Sequence, residues 1–366
     1  MVPVSSHIAS LAGGLVLGGF AGTSLPPAFA RALREGRRGG AILFKPNVEG
    51  GPMQVAALGR ELHAATPSPA EPPLVGIDQE GGRVARLREP LLVVPPMREV
   101  ASWGDEALAE RIARAVGLEL AAVGITIDFA PVLDVNTCAH NPVIGDRAFG
   151  DDVATCERFG VAWIRGLQGA GILACGKHFP GHGDTSKDSH LDLPVVDQPR
   201  ERLETVELAP FRAAAEAGVA SMMTAHVVYP ALDRERPATL SPAVCTDLRA
   251  RIGFAGMLVS DDLEMQAIAA RWPIEDAAVQ AIAAGCDALL VCWSDEKQEL
   301  AAEALAREAE RSPAFRARCE QAAARVLAAR RRATARPLDD EGARRVVGGA
   351  ESRAIAEAIA RRGQAS

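Results

Sequence analysis

Aromatic side chains make up only 4% of the 366 residues, too few to lay out a surface on which nucleic-acid bases stack. The seven cysteines (Cys138, Cys156, Cys175, Cys245, Cys286, Cys292 and Cys319) include no C-x-x-C pair. Their odd number and scatter argue against a disulfide framework and a zinc cluster, so reduced thiols in a cytoplasmic protein are expected. No stretch approaches the roughly 20 uninterrupted apolar residues of a membrane-spanning helix. The apolar stretch 11–20 precedes a small-residue triplet, Ala28-Phe29-Ala30. However, no Lys or Arg comes before Arg31, and Gly13, Gly14, Gly18 and Gly19 interrupt the run, so a signal peptide is not expected. Positive charge is also in deficit, with 40 Lys+Arg against 47 Asp+Glu and a net charge of -7. That balance opposes non-specific attachment to nucleic acid or an anionic membrane, and neither is expected as a partner.

What the chain does contain is ample core material, 48% hydrophobic against 24% charged. Short apolar runs recur at 15–20, 41–45, 74–78, 125–132, 172–178, 220–226, 256–261 and 288–292, each followed by a loop signal and a longer segment of helical character. Because they are apolar throughout and do not alternate, they fit strands covered on both faces. Eight such strand and helix pairs favour a single (β/α)8 TIM-type barrel, with irregularity allowed in the early strands, over an open doubly wound sheet. Gly18-Gly19-Phe20-Ala21-Gly22 does not supply the G-x-G-x-x-G that a dinucleotide fold requires. The barrel is expected over about 10–295. The remainder, about 297–366, reads as helix, turn and helix packed into the same domain, 1–366. Ser312-Pro313 supplies the cap, and Phe315, Cys319, Ala322 and Val326 share a face. Arg330-Arg331-Arg332 reads as a solvated end that complements the helix dipole.

Reacting groups of such barrels sit where strands end. Here the third run releases Asp78-Gln79-Glu80-Gly81-Gly82-Arg83, the fourth leads to Asp134 and Arg147, and the fifth ends in Lys177-His178. The sixth ends in His226 and the seventh in Ser260-Asp261-Asp262. The densest stretch runs from Lys177 to His190 and holds His178, His182 and His190. Its glycines Gly181 and Gly183, with Gly176 just before it, allow close approach of the backbone to a ligand. Asp188 lies two residues from His190, close enough to orient the imidazole and favour its protonated form, so the pair can serve as general acid and then base. His182 is expected to hold the loop by hydrogen bonding. Adjacent strand residues point to opposite sides, so one of Asp261 and Asp262 should face the pocket while the other caps the next helix.

His178, His182, His190, His226, Asp184 and Asp261 together include the ligand types of a metallohydrolase. Barrel metallohydrolases of the amidohydrolase type, though, carry His-x-His after the first strand, where this chain has Gly18-Gly19-Phe20. No metal and no cofactor are expected.

The stretch Lys177 to His190, with Ser260-Asp261-Asp262-Leu263 and Asp78-Gln79-Glu80-Gly81-Gly82-Arg83-Val84, resembles the glycoside hydrolase family 3 β-N-acetylhexosaminidases of the bacterial peptidoglycan-recycling type. Further similarity falls at Asp128-Phe129-Ala130-Pro131-Val132-Leu133-Asp134-Val135 and at His226-Val227-Val228-Tyr229-Pro230-Ala231-Leu232. The resemblance implies removal of non-reducing terminal N-acetylglucosamine with retention, through a covalent glycosyl-enzyme. By that resemblance Asp261 is the nucleophile, His190 the acid/base and Asp188 its partner. Asp78, Arg86, Arg147, Lys177 and His178 fall on positions that hold the sugar. A small carbohydrate is the implied partner of a monomeric enzyme. Two departures are visible: Pro46 stands where many relatives carry Arg, and the extra α/β domain of some relatives is absent from this sequence.

Overall fold

The computed structural model describes residues 5–66, 71–185 and 193–364. Runs that are apolar on both faces can be buried only beneath cover on both sides, and the chain achieves this by closing its sheet. Eight parallel strands form the barrel: β1 (Val16–Gly18), β2 (Gly40–Leu43), β3 (Leu74–Ile77), β4 (Ile127–Asp128), β5 (Leu173–Phe179), β6 (Ser221–Thr224), β7 (Met257–Asp262) and β8 (Ala288–Val291). Spatial order follows chain order, and β8 returns to β1 with Val16 aligned on Leu289. Each expected run overlaps one strand.

The irregularity falls on β1, three residues long, and on β4, two residues long against the expected eight. Past Asp128 the β4 ladder persists in fragments: Cys175 N donates to Ala130 O (2.9 Å), Lys177 N to Pro131 O (3.0 Å) and Leu133 N to Lys177 O (2.6 Å). Pro131 has no N–H to contribute, which explains why regular pairing stops there. The peptides Ala130–Pro131, Lys177–His178 and Phe179–Pro180 are cis.

Helices follow the strands, among them Pro52–Ala64, Glu106–Ala122, Val153–Gly169, Ile274–Ala284 and Asp295–Arg311. Several start on a side-chain cap: Asp105 accepts from Leu108 N, Asp152 from Thr155 N and Ser294 from Lys297 N. The cover after β6 departs from this pattern, being a π-helical stretch, Ala243–Leu248, that runs into Arg249–Arg251.

The C-terminal part is richer than expected. Ser312 does cap Pro313–Arg332, and Phe315, Cys319, Ala322 and Val326 are buried along it. Two more helices follow, Asp340–Val346 and Ala350–Gly363. The first is seven residues long, too short to show a helical period in sequence, and it relies on the Asp339 cap. Buried Glu119 fastens this region to the barrel by accepting from Leu92 N (2.7 Å), Gly348 N (2.8 Å) and Ser352 Oγ (2.7 Å). In the basic run at 330–332, Arg331 and Arg332 are exposed in the last turn as expected, whereas Arg330 is half-buried. Arg330 donates to the carbonyls of Glu71 and Pro72, Arg331 pairs with Glu71 (2.9 Å), and Arg332 donates to Gly218 O (2.7 Å).

At the strand N-terminal end of the barrel, Asp287 is fully buried and meets three guanidiniums: Arg249 (2.9 Å), Arg318 (2.7 Å) and Arg325 (3.1 Å). It also accepts Leu258 N. Arg249 and Arg318 spend their other N–H groups on neighbouring carbonyls, including those of Phe254, Ile282 and Gly285. Among the described residues no helix is long and apolar enough to cross a membrane.

Candidate active site

Six of the eight expected site residues, Asp78, Arg86, Arg147, Lys177, His178 and Asp261, border one cavity of about 510 Å³ at the strand C-terminal end. The other two, Asp188 and His190, lie outside the described residues. Ile42, Phe129, Met223 and Leu290 form the cavity's apolar floor, and all four are buried.

Above that floor five charges alternate. Asp78, from the end of β3, takes Arg86 on one oxygen (2.9 Å) and Lys177 of β5 on the other (2.9 Å). Lys177 also reaches Glu80 (2.6 Å), and Glu80 accepts Arg147 in a two-pronged pair, Nε and Nη2 both at 2.8 Å. Burial opposes the charge on Asp78, but Lys177 and Arg86 outweigh it and hold the carboxyl below the usual range. Glu80 is likewise held low against burial, by Arg147 and Lys177, while Lys177 and Arg147 are raised in return. Asp78, Glu80, Lys177 and Arg147 therefore stay ionised at neutral pH. Beneath them Asp128 behaves in the opposite way: burial pushes its carboxyl far up, Gln79 N donates to one oxygen (2.9 Å), and the other is unpartnered. Sequence reasoning gave Glu80 no role of its own, although its place two residues after Asp78, on the same face of an extended segment, was the available signal.

The loop after β5 is bolted to the loop after β4. Asp134 accepts His178 N (3.1 Å), His182 N (2.7 Å) and His178 Nδ1 (2.7 Å). Burial raises its carboxyl, and the His178 contacts more than reverse this. Gly183 presses so close that a Cβ there would lie 1.7 Å from Val135 O. Gly181, at φ +133°, receives Tyr229 OH on its carbonyl (2.6 Å). Asn141 donates to the carbonyls of His182 and Gly183, and Asp184 accepts Thr137, Gln198 and Arg202. His182 holds the loop as expected, through Thr185 Oγ1 at Nδ1 (2.8 Å); burial, with His178 beside it, pulls its pKa down to about 4.

At the end of β7 both Asp261 and Asp262 border the cavity. Asp261 accepts the next amide, Asp262 N (2.8 Å). Asp262 is not a helix cap: it accepts Glu264 N (3.1 Å) and Cys292 N (3.2 Å), so it ties β7 to the end of β8. The nearby helix Gln266–Ala269 has no side-chain cap. Burial, reinforced by Asp261, pushes Asp262 up to about 7. His226 spends both ring nitrogens close by, on Thr239 Oγ1 (2.8 Å) and Asp262 O (2.9 Å). Phe44 and Trp293, which carried no expectation, stand at the rim, stacked with ring centroids 4.5 Å apart and planes inclined by 27°.

Buried, ionised side chains facing an open cavity at the strand C-terminal end of a closed (β/α)8 barrel define an enzyme that binds a small polar molecule. Residues 27–329 match the glycosyl hydrolase family 3 N terminal domain. The chain belongs to that family and is a glycoside hydrolase. A β-hexosaminidase of Thiobacillus denitrificans is 43% identical over 294 residues, spanning 78% of this chain and 79% of its own. A β-N-acetylglucosaminidase structure from Paenibacillus sp. str. FPU-7 superposes with TM-score 0.87 at 39% identity, over 97% of this chain and 68% of that one. NagZ from Neisseria gonorrhoeae, in complex with N-trifluoroacetyl-D-glucosamine, gives TM-score 0.77 at 31% identity, over 96% and 98%.

Proposed function

We propose that the protein is a retaining exo-β-N-acetylglucosaminidase acting on peptidoglycan-derived fragments, as a monomeric single-domain enzyme of the cytoplasm. The observation that carries this reading is Asp261 at the end of β7, opening on a cavity whose far wall is the Arg86–Asp78–Lys177–Glu80–Arg147 chain. Three cations against two carboxylates leave donors for the hydroxyl and carbonyl oxygens of a neutral N-acetylated sugar, and His178 adds a further polar partner. Relatives named as β-hexosaminidases support the substrate class.

Asp261 attacks the anomeric carbon as the bond to the leaving oxygen breaks, with positive charge building on the sugar ring. His190, oriented by Asp188, gives its proton to that oxygen and then takes one from water, which releases the sugar from Asp261. Both residues of this pair rest on the sequence resemblance. A rate comparison between aryl β-N-acetylglucosaminide and aryl β-glucoside, each with and without chelator and with and without phosphate, tests the reading. Preference for the N-acetylated glycoside, indifferent to chelator and phosphate, is expected; equal rates on the two sugars, or loss on chelation, would overturn it.

A further inference from the structure

The ionic chain occupies the cavity's depth: the Lys177 and Glu80 side chains are 3% and 2% exposed. Trp293 borders the same cavity at 60% exposure, which makes it the most solvent-open of the large hydrophobic residues described. One indole face stacks against Phe44, centroids 4.5 Å apart and planes 27° from parallel, and the Arg86 guanidinium sits 5.6 Å from the Phe44 ring centroid. The backbone holds the indole in place, since Trp293 N donates to Glu264 Oε2 (2.6 Å), which also accepts Ser294 N (3.2 Å), and Lys297 pairs with Glu264 (3.3 Å). An exposed indole costs solvation free energy, and this one is fixed at a site mouth by a carboxylate that serves its own backbone.

Resting on the N-acetylglucosaminidase reading, we propose that Trp293, backed by Phe44, is the binding platform for the leaving group, taking the apolar C–H face of a hexopyranose ring linked to the sugar being removed. An exo-acting enzyme seats the departing terminal sugar at the closed end of its cavity. The next ring then lies at the mouth, where the open indole face is. A hexopyranose presents axial C–H groups on one face and hydroxyls around its edge. It stacks flat on an aromatic ring while its polar edge stays in water. Phe44 stiffens the platform from behind and links it through Arg86 to Asp78, so both ring sites share one wall.

The test compares kcat/KM for N,N'-diacetylchitobiose, whose leaving group is a sugar ring, with that for β-N-acetylglucosaminyl fluoride, whose leaving group offers nothing to stack. Trp293→Ala and Trp293→Leu should each lower the chitobiose value about tenfold more than the fluoride value, mainly through KM. Trp293→Phe should recover most of the difference, and circular dichroism establishes that each variant is folded. Equal losses on both substrates, or a Leu variant as good as Phe, overturn the platform while leaving the N-acetylglucosaminidase reading intact. A wild-type enzyme inert on both substrates overturns that reading and the platform with it.

Discussion

Each end of the barrel buries an ionic cluster, and the two are finished differently. At the strand N-terminal end Asp287 is enclosed by Arg249, Arg318 and Arg325, and the spare N–H groups of Arg249 and Arg318 find carbonyls of the surrounding turns. At the other end Asp78 and Glu80 share Lys177 with Arg86 and Arg147, but a cavity opens on them and Arg86 Nε is buried without a partner. A completed cluster can do no more than hold chain segments together. An incomplete one keeps bonding capacity in reserve for a ligand, at the cost of leaving that capacity unmet in the empty protein.

Substitutions can set the two ends against each other. The largest effect is expected from Asp261→Asn, which should lower kcat on an aryl β-N-acetylglucosaminide about 10⁴-fold or more while the melting temperature stays close to that of wild type. A retained rate would remove Asp261 from the mechanism. Asp287→Ala leaves three clustered guanidiniums, that of Arg249 buried, without their carboxylate and should cost about 3–5 kcal/mol in urea unfolding, with the folded fraction keeping its activity. Lys177→Met is the counterpart at the open end. Asp78 and Glu80 keep their guanidiniums, so stability should fall less than for Asp287→Ala, whereas kcat/KM should drop about 10²–10³-fold. If the two variants swap these signatures, the distinction between the ends collapses.

A subtler effect belongs to Asp262, which is pushed up to about 7 by burial and by Asp261. Its folded pKa lies above the unfolded one, so the native state holds this proton more tightly. Its contribution to stability is full below the ordinary carboxylate range and is lost as pH rises through about 7. Asp262→Asn removes that dependence, and the difference in melting temperature, variant minus wild type, should grow from pH 5 to pH 8. A flat difference would place the Asp262 carboxyl in the ordinary range. The smallest change is expected from Arg330→Ala, which gives up bonds to the Glu71 and Pro72 carbonyls; about 1 kcal/mol of stability should go, with kinetics untouched.

The barrel was legible because strands covered on both faces cannot alternate, and all eight unbroken apolar runs became strands. Residue types at the strand ends also pointed to Asp78, Arg147, Lys177, His178 and Asp261, which with Arg86, taken from the resemblance, border one cavity, since that end is where a parallel barrel presents its side chains. What sequence could not convey was partner choice. Asp262 looked like a helix cap because Asp often is one, yet its carboxylate accepts the amide of Cys292, 30 residues on. Arg330 looked solvated like Arg331 and Arg332 because nothing local hints that the Glu71 and Pro72 carbonyls lie beside it. Glu80 and Trp293 went unassigned because their significance depends on depth, one at the bottom of the cavity and the other at its lip.

Closure of the sheet brings β1 against β8, elements separated by almost the whole barrel sequence. Contacts of such long sequence separation bear the largest loop entropy and form among the last in folding. The cavity draws on Ile42 of β2 and Leu290 of β8 alike, so no partial barrel can present it whole. Turnover by this chain is therefore a report on completed folding: a refolding or newly synthesised population gains activity only as its final ladder pairs, and enzyme assay should lag behind recovery of helical signal.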